Sequence, residues 1–201
     1  SEAHQGDLSA VLLQNLNPLV NLIRVPKKPI ILMDEWESKI KAIVENTWNK
    51  DVNSLSGVPS WMLVLIKAVL KKTGREYLTD VWPNLEVFFH GGISFEPYRE
   101  QYKTLIPSNK MHYMETYNAS EGFFGLQDDP TDSSLLMMPD YGIFYEFIPM
   151  NEVGNAHPTV LPLESVETGK NYAMVITTSG GLWRYQIGDT VRFTSLFPHK
   201  F

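Results

Sequence analysis

Tyr117-Asn118-Ala119-Ser120-Glu121-Gly122 sets a hydroxyl beside a carboxylate. That pairing suits magnesium and phosphate, because Ser120 can donate to a phosphate oxygen while Glu121 holds a hard cation. Tyr117 can lie against a base, and Gly122 permits close backbone approach. Taken by themselves, the same residues read more simply as an ordinary polar turn. Asn118-Ala119-Ser120 also matches an N-glycosylation acceptor, read here as coincidence because no secretory signal is recognisable. A second run, His90-Gly91-Gly92-Ile93-Ser94, follows the apolar stretch Leu85 to Phe89. Its paired glycines let the backbone come close to a planar ligand such as adenine. No third glycine stands at the dinucleotide offset and no P-loop lysine follows, so a turn without a ligand fits as well. His90 alone reads as a packed or capping histidine.

In the third run, from Gly181 to Asp189, Gly188 is expected to set a tight turn that presents Asp189. The two carboxylate oxygens of Asp189 could accept from both hydroxyls of a ribose. A plain β-turn between strands remains the other reading. Trp183 and Tyr185 alternate and read as core. The fourth run, Ser54 to Met62, is a strand–turn–helix junction. Val58 and Trp61, with His90, are candidates to line a pocket for an acyl group, although capping and core packing would use the same residues.

These runs need elements to hold them. Leu8 to Ile23 follows a helical period broken at Pro18. A second helix is expected from a cap at Asp34 through Trp48, and a third from Pro59 to a stop at Gly74. Val52 to Leu55, Leu85 to His90 and His112 to Tyr117 read as strands, the first two leading into helices from Pro59 and Pro97. That pattern predicts an α/β fold with a mainly parallel sheet and crossover helices over residues 50–120. Ligands of such sheets sit past the carboxyl ends of the strands. Further on, Leu135 to Met138, Gly142 to Ile148, Tyr172 to Thr178, Leu182 to Tyr185 and Thr190 to Thr194 read as strands, with Ser179-Gly180-Gly181 as a tight hairpin. Residues 1–130 are therefore assigned to an α/β subdomain and 131–201 to an antiparallel or small-barrel subdomain, together part of one large domain.

With 201 residues, 43% of them hydrophobic, the chain can build a core that removes roughly 70% of its unfolded surface from water. The absence of cysteine excludes a thiol nucleophile, a thiolate metal site and a disulfide framework. Seventeen Lys+Arg against 23 Asp+Glu, net −6, is the wrong sign for a polyanion, so no nucleic-acid partner is expected. Leu8 to Val25 is interrupted by polar residues and Pro18, short of the roughly 20 apolar residues of a membrane span. A cytoplasmic protein without a membrane partner is the expectation.

Taken in order, the Gly-Gly turn, the run YNASEGFFG from Tyr117 and the run GLWRYQIGDTVRF from Gly181 resemble the motifs of the Gretchen-Hagen-type acyl acid amido synthetases. These form the auxin-responsive branch of the acyl-adenylate-forming superfamily. LSGVPSWM and FFHGGISFEPYREQY look like the bacterial members. The resemblance spans nearly the whole chain. It implies an ATP- and magnesium-dependent ligase that activates a small carboxylic acid as its adenylate and passes the acyl group to an amine or amino acid. By position, Gly91 and Gly92 would border adenine, Tyr117 would flank it, Ser120 would touch phosphate, Glu121 would bind magnesium, and Asp189 would hold the ribose. Nothing in the 201 residues resembles the family's Ser/Thr/Gly-rich phosphate loop. The lysine-bearing C-terminal subdomain is expected after Phe201. A fragment of a large domain that binds nucleotide without turning over is thus implied. A coenzyme A ligase of the same superfamily and a non-catalytic nucleotide-binding module are the competing readings.

Overall fold

The computed structural model describes residues 15–201 and divides into two compact units, Ser1–Tyr113 and Met114–Phe201. This division falls earlier in the chain than the boundary expected at residue 130.

In the first unit, α1 (Val20–Ile23) follows Pro18, and α2 is Lys28–Ile31. The start of the helical period at Leu8 lies outside the described residues. Helix α3 (Trp36–Thr47) is capped by Glu35, whose carboxylate accepts from the Glu37 and Ser38 amides at 2.9 and 2.6 Å. Asp34 was expected in that role. Glu35 is the last residue in extended conformation before the helix, which is where a capping acceptor must stand. Strand β1 (Ser54–Gly57) leads directly into α4 (Pro59–Thr73), which starts on a proline and stops at Gly74 with φ +65°, both as expected. Strand β2 (Val87–Gly91) lies parallel to β1, with Gly57 opposite His90. The chain then enters α5 (Arg99–Leu105).

Leu63, Ile66, Val69 and Leu70 put one face of α4 against Phe88, Phe95 and Tyr102. Each such side chain, fully buried, contributes about 1.5–3 kcal/mol. The Tyr102 hydroxyl donates to the Pro59 carbonyl at 2.8 Å and the Trp82 indole to the Thr47 carbonyl at 3.1 Å, so both buried polar tips are satisfied.

In the second unit pairing is antiparallel. β3 (His112–Ala119) reverses into β4 (Gly122–Leu126), which pairs with β5 (Leu136–Met137). A four-stranded sheet has the order β7 (Leu161–Pro162), β6 (Ile143–Pro149), β8 (Asn171–Thr178), β9 (Tyr185–Arg192). Two short strands close the chain, β10 (Ser195–Leu196) and β11 (His199–Lys200); β11 pairs with both β10 and β5. Along β6, Ile143, Tyr145 and Phe147 are buried, while Phe144 between them is exposed. This alternation puts one face of the sheet on its main core, while Ile148, Ala173 and Val175 form a smaller buried cluster with Val160. The main core holds Phe124, Tyr172, Met174, Ile176 and Phe193. The fold class is α/β, a parallel pair with a helical crossover followed by an antiparallel extension.

Two expectations fail here. The separate strands foreseen at Leu182 to Tyr185 and Thr190 to Thr194 are replaced by the single strand β9. Trp183 and Tyr185, both expected in the core, are 81% and 41% exposed: the chain leaves the sheet after the Ser179-Gly180-Gly181 reversal and rejoins it only at Tyr185, the first residue of the edge strand β9. The reversal itself is present, with Gly181 N–H donating to Thr178 O at 3.2 Å.

Candidate functional site

Ala119 pairs with Gly122, so Ser120 and Glu121 are the two loop residues of the β3–β4 hairpin. Ser120 is exposed and Glu121 half-exposed, which puts the hydroxyl and the carboxylate side by side on a turn tip. Gly122 has a packing reason to lack a side chain: a Cβ there would come 2.5 Å from Ile143 Cδ1 and 3.1 Å from the Phe124 ring. The register slips between Tyr117 and Asn118, where β4 carries one extra residue, Phe124. Such a bulge re-aims the neighbouring side chains. The Tyr117 ring centroid rests 4.9 Å from that of Phe124 and 6.0 Å, edge-on, from that of Phe201.

Gly188 does not make a turn between strands. It lies inside β9 with φ +92°, within a bulge where Ala173 pairs with Thr190 but Val175 pairs with Gln186. Only glycine adopts that backbone angle cheaply, and the bulge it allows displays Asp189 at the surface. Tyr117 Oη donates to Asp189 Oδ2 at 2.5 Å. This bond joins two motifs 72 residues apart. Burial first, then the Asp189 hydrogen bond and charge, then the Glu121 charge push the Tyr117 phenol well above its usual range. It therefore stays a protonated donor at physiological pH.

In the first unit, Gly57 and His90-Gly91 lie together at the carboxyl ends of β1 and β2, the position where parallel strands present ligand sites. Gly92 follows with φ +81°, and a Cβ there would come 3.5 Å from Val58. Val58 and Gly92 are thus neighbours across the two turns. Trp61, in the first turn of α4, is exposed and meets Trp36 edge-to-face at 4.3 Å. His90 is buried at 3% exposure, its ring stacked on Phe95 at 4.3 Å and tilted against Phe88 at 5.5 Å. Burial, and then the Arg99 charge, lower its pKa from 6.5 to about 4, so it is neutral. It is the packed histidine of the two alternatives.

The donor set suits a magnesium ion shared with phosphates. Magnesium takes one or two carboxylates and completes its shell with water and phosphate oxygens, and Glu121 beside Ser120 offers that minimum. Among the described residues no three His, Asp or Glu converge as an all-protein metal cage would require. Arg184 was given no role from sequence. It is the one non-glycine residue with positive φ, +47°, among those described. Its amide donates to Thr177 Oγ1 at 3.0 Å and its Nε to Glu146 at 2.9 Å. The signal lay in a partner 38 residues away, which only the β6–β8–β9 pairing reveals.

The fold is shared with parts of solved ligase structures. It matches the solved structure of GH3.15 acyl acid amido synthetase with a TM-score of 0.72 at 19% identity, covering 95% of this chain and 43% of that one. It matches 2-hydroxyisobutyryl-CoA ligase with a TM-score of 0.58 at 13% identity, covering 80% and 33%. Models of the GH3 family N-terminal domain and the GH3 family central domain match residues 1–111 and 136–200, and the chain belongs to the GH3 family. Indole-3-acetic acid-amido synthetase GH3.4 of Arabidopsis thaliana is 30% identical over 170 residues, covering 79% of this chain and 27% of that protein. The 4-substituted benzoates-glutamate ligase GH3.12 of the same plant is 28% identical over 186 residues, covering 83% and 31%. The chain thus spans roughly a third or less of these relatives' length. Among the described residues no helix is long and apolar enough to cross a membrane.

Proposed function

We propose that this chain is the nucleotide-binding part of a cytoplasmic ligase that activates a carboxylic acid as its adenylate and passes the acyl group to an amine or amino acid. The observation that carries the reading is the Tyr117–Asp189 hydrogen bond, which joins the two motifs that the family resemblance assigns to adenosine. Support also comes from relatives named as acid–amino acid ligases. Asp189 accepts from the ribose hydroxyls, the Tyr117 ring flanks the base, and Gly91 and Gly92 offer backbone to adenine. Ser120 donates to a phosphate oxygen and Glu121 holds magnesium. When bound, magnesium supplies positive charge where negative charge builds on the α-phosphate as the carboxylate attacks it. Val58, Trp61 and the buried His90 are the residues assigned to the acyl pocket. The likeness of LSGVPSWM and FFHGGISFEPYREQY to bacterial members is part of this proposal, the relatives named above being plant proteins.

A coenzyme A acceptor is the second reading, favoured by the shared fold with 2-hydroxyisobutyryl-CoA ligase. Pyrophosphate release should be measured with acid alone, acid plus amino acids and acid plus coenzyme A, on a longer chain that contains these residues. Stimulation by amino acids supports the amide reading, whereas stimulation by coenzyme A alone overturns it. The 201 residues by themselves, without a Ser/Thr/Gly-rich phosphate loop, should release pyrophosphate negligibly. Robust release by this chain would defeat that part of the proposal.

A further inference from the structure

A vicinal diol is held best when each carboxylate oxygen accepts from a different hydroxyl, which requires the carboxylate plane to be fixed. Left alone, an aspartate carboxylate turns in a broad torsional well. Asp189 is not left alone. Tyr117 Oη sits on its Oδ2 at 2.5 Å, and Oδ1 accepts no hydrogen bond among the described residues. An ionised carboxylate only accepts, so the single phenol proton must point at Asp189. The tyrosine end of the bond is held by the rings of Phe124 and Phe201. The aspartate end is held by the bulge that Gly188 permits. Packing and backbone therefore set the bond before any ligand arrives.

We propose that Tyr117 is a positioning residue whose hydroxyl orients the Asp189 carboxylate toward a ribose cis-diol, making this site selective for ribonucleotides over nucleotides that lack the diol. The proposal rests on the nucleotide reading above and adds to it a role for the hydroxyl that is separate from the ring. Tyr117→Phe separates the two, because it keeps the ring that packs on Phe124 and removes only the donor. The lost bond lies within the protein and affects binding only through the orientation of Asp189, so an effect on the scale of an ordinary hydrogen bond, about five- to tenfold, is expected.

The test is calorimetric titration of the 201-residue chain, in magnesium, with ATP and with 2′,3′-dideoxyATP. Wild type should prefer ATP. Tyr117→Phe, with a melting curve like wild type, should weaken ATP about five- to tenfold and leave dideoxyATP within about twofold. Asp189→Asn should abolish the preference. If Tyr117→Phe weakens both nucleotides alike, or neither, while Asp189→Asn still abolishes the preference, the positioning role is overturned and the nucleotide site stands. If wild type shows no preference for ATP, the ribose reading and this inference both fall.

Discussion

Gly122 and Gly188 stand at the two halves of the candidate site for different physical reasons. Gly122 gives way to Ile143, whose Cδ1 lies 2.5 Å from where a Cβ would be. Overpacking of this kind costs about 1–3 kcal/mol, so Gly122→Ala should lower the urea midpoint by a corresponding amount. Ile143→Val, which removes that methyl, should restore part of the loss. At Gly188 nothing lies within 4 Å of a Cβ, and the constraint is φ +92° alone. His90 gives a pH signature. Its folded pKa of about 4 lies below the usual 6.5, so in that window the unfolded chain binds more protons. Stability present above pH 6.5 is lost as pH falls towards 4. This group should cost about 2 kcal/mol between pH 7 and pH 5. Urea unfolding at both pH values, on wild type and His90→Leu, should show that part of the slope disappear in the variant. The sequence left His90 open as a packed, capping or pocket-lining residue, and its burial against Phe88 and Phe95 is what decides for packing. The Tyr117–Asp189 bond was not legible, because it depends on two bulges that place residues 72 positions apart.

At the scale of elements, legibility followed punctuation. α4 runs from Pro59 to Gly74 as read, because proline and glycine act there through the local backbone alone. Gly74 has φ +65° with nothing near a Cβ, so Gly74→Ala should cost about 1 kcal/mol from strain and nothing from packing. A melting-temperature comparison checks this. The cap of α3 was misread by one residue, since Asp34 and Glu35 are both acceptors and only the start of the helix decides between them. β9 was misread more deeply. A glycine with positive φ has the same sequence signature in a turn as in a bulge, and the difference is made by β8 continuing alongside. Trp183 and Tyr185 were both read as core from their alternation, although Trp183 precedes the strand and Tyr185 opens it at the sheet edge, 41% exposed.

At the scale of the molecule, the two family models fall largely on different compact units, residues 1–111 on the first and 136–200 on the second. The catalytic vocabulary proposed here is divided in the same way. Gly91, Gly92, Val58 and Trp61 belong to the first unit and Tyr117, Ser120, Glu121 and Asp189 to the second. The central claim, magnesium-assisted nucleotide binding, is tested most directly by titrating ATP into wild type, Glu121→Gln and Asp189→Ala, with and without magnesium. Wild type should bind more tightly with magnesium. Glu121→Gln should keep the magnesium-free affinity and lose the enhancement, and Asp189→Ala should lose about tenfold under both conditions. Unchanged affinity in both variants would contradict the account.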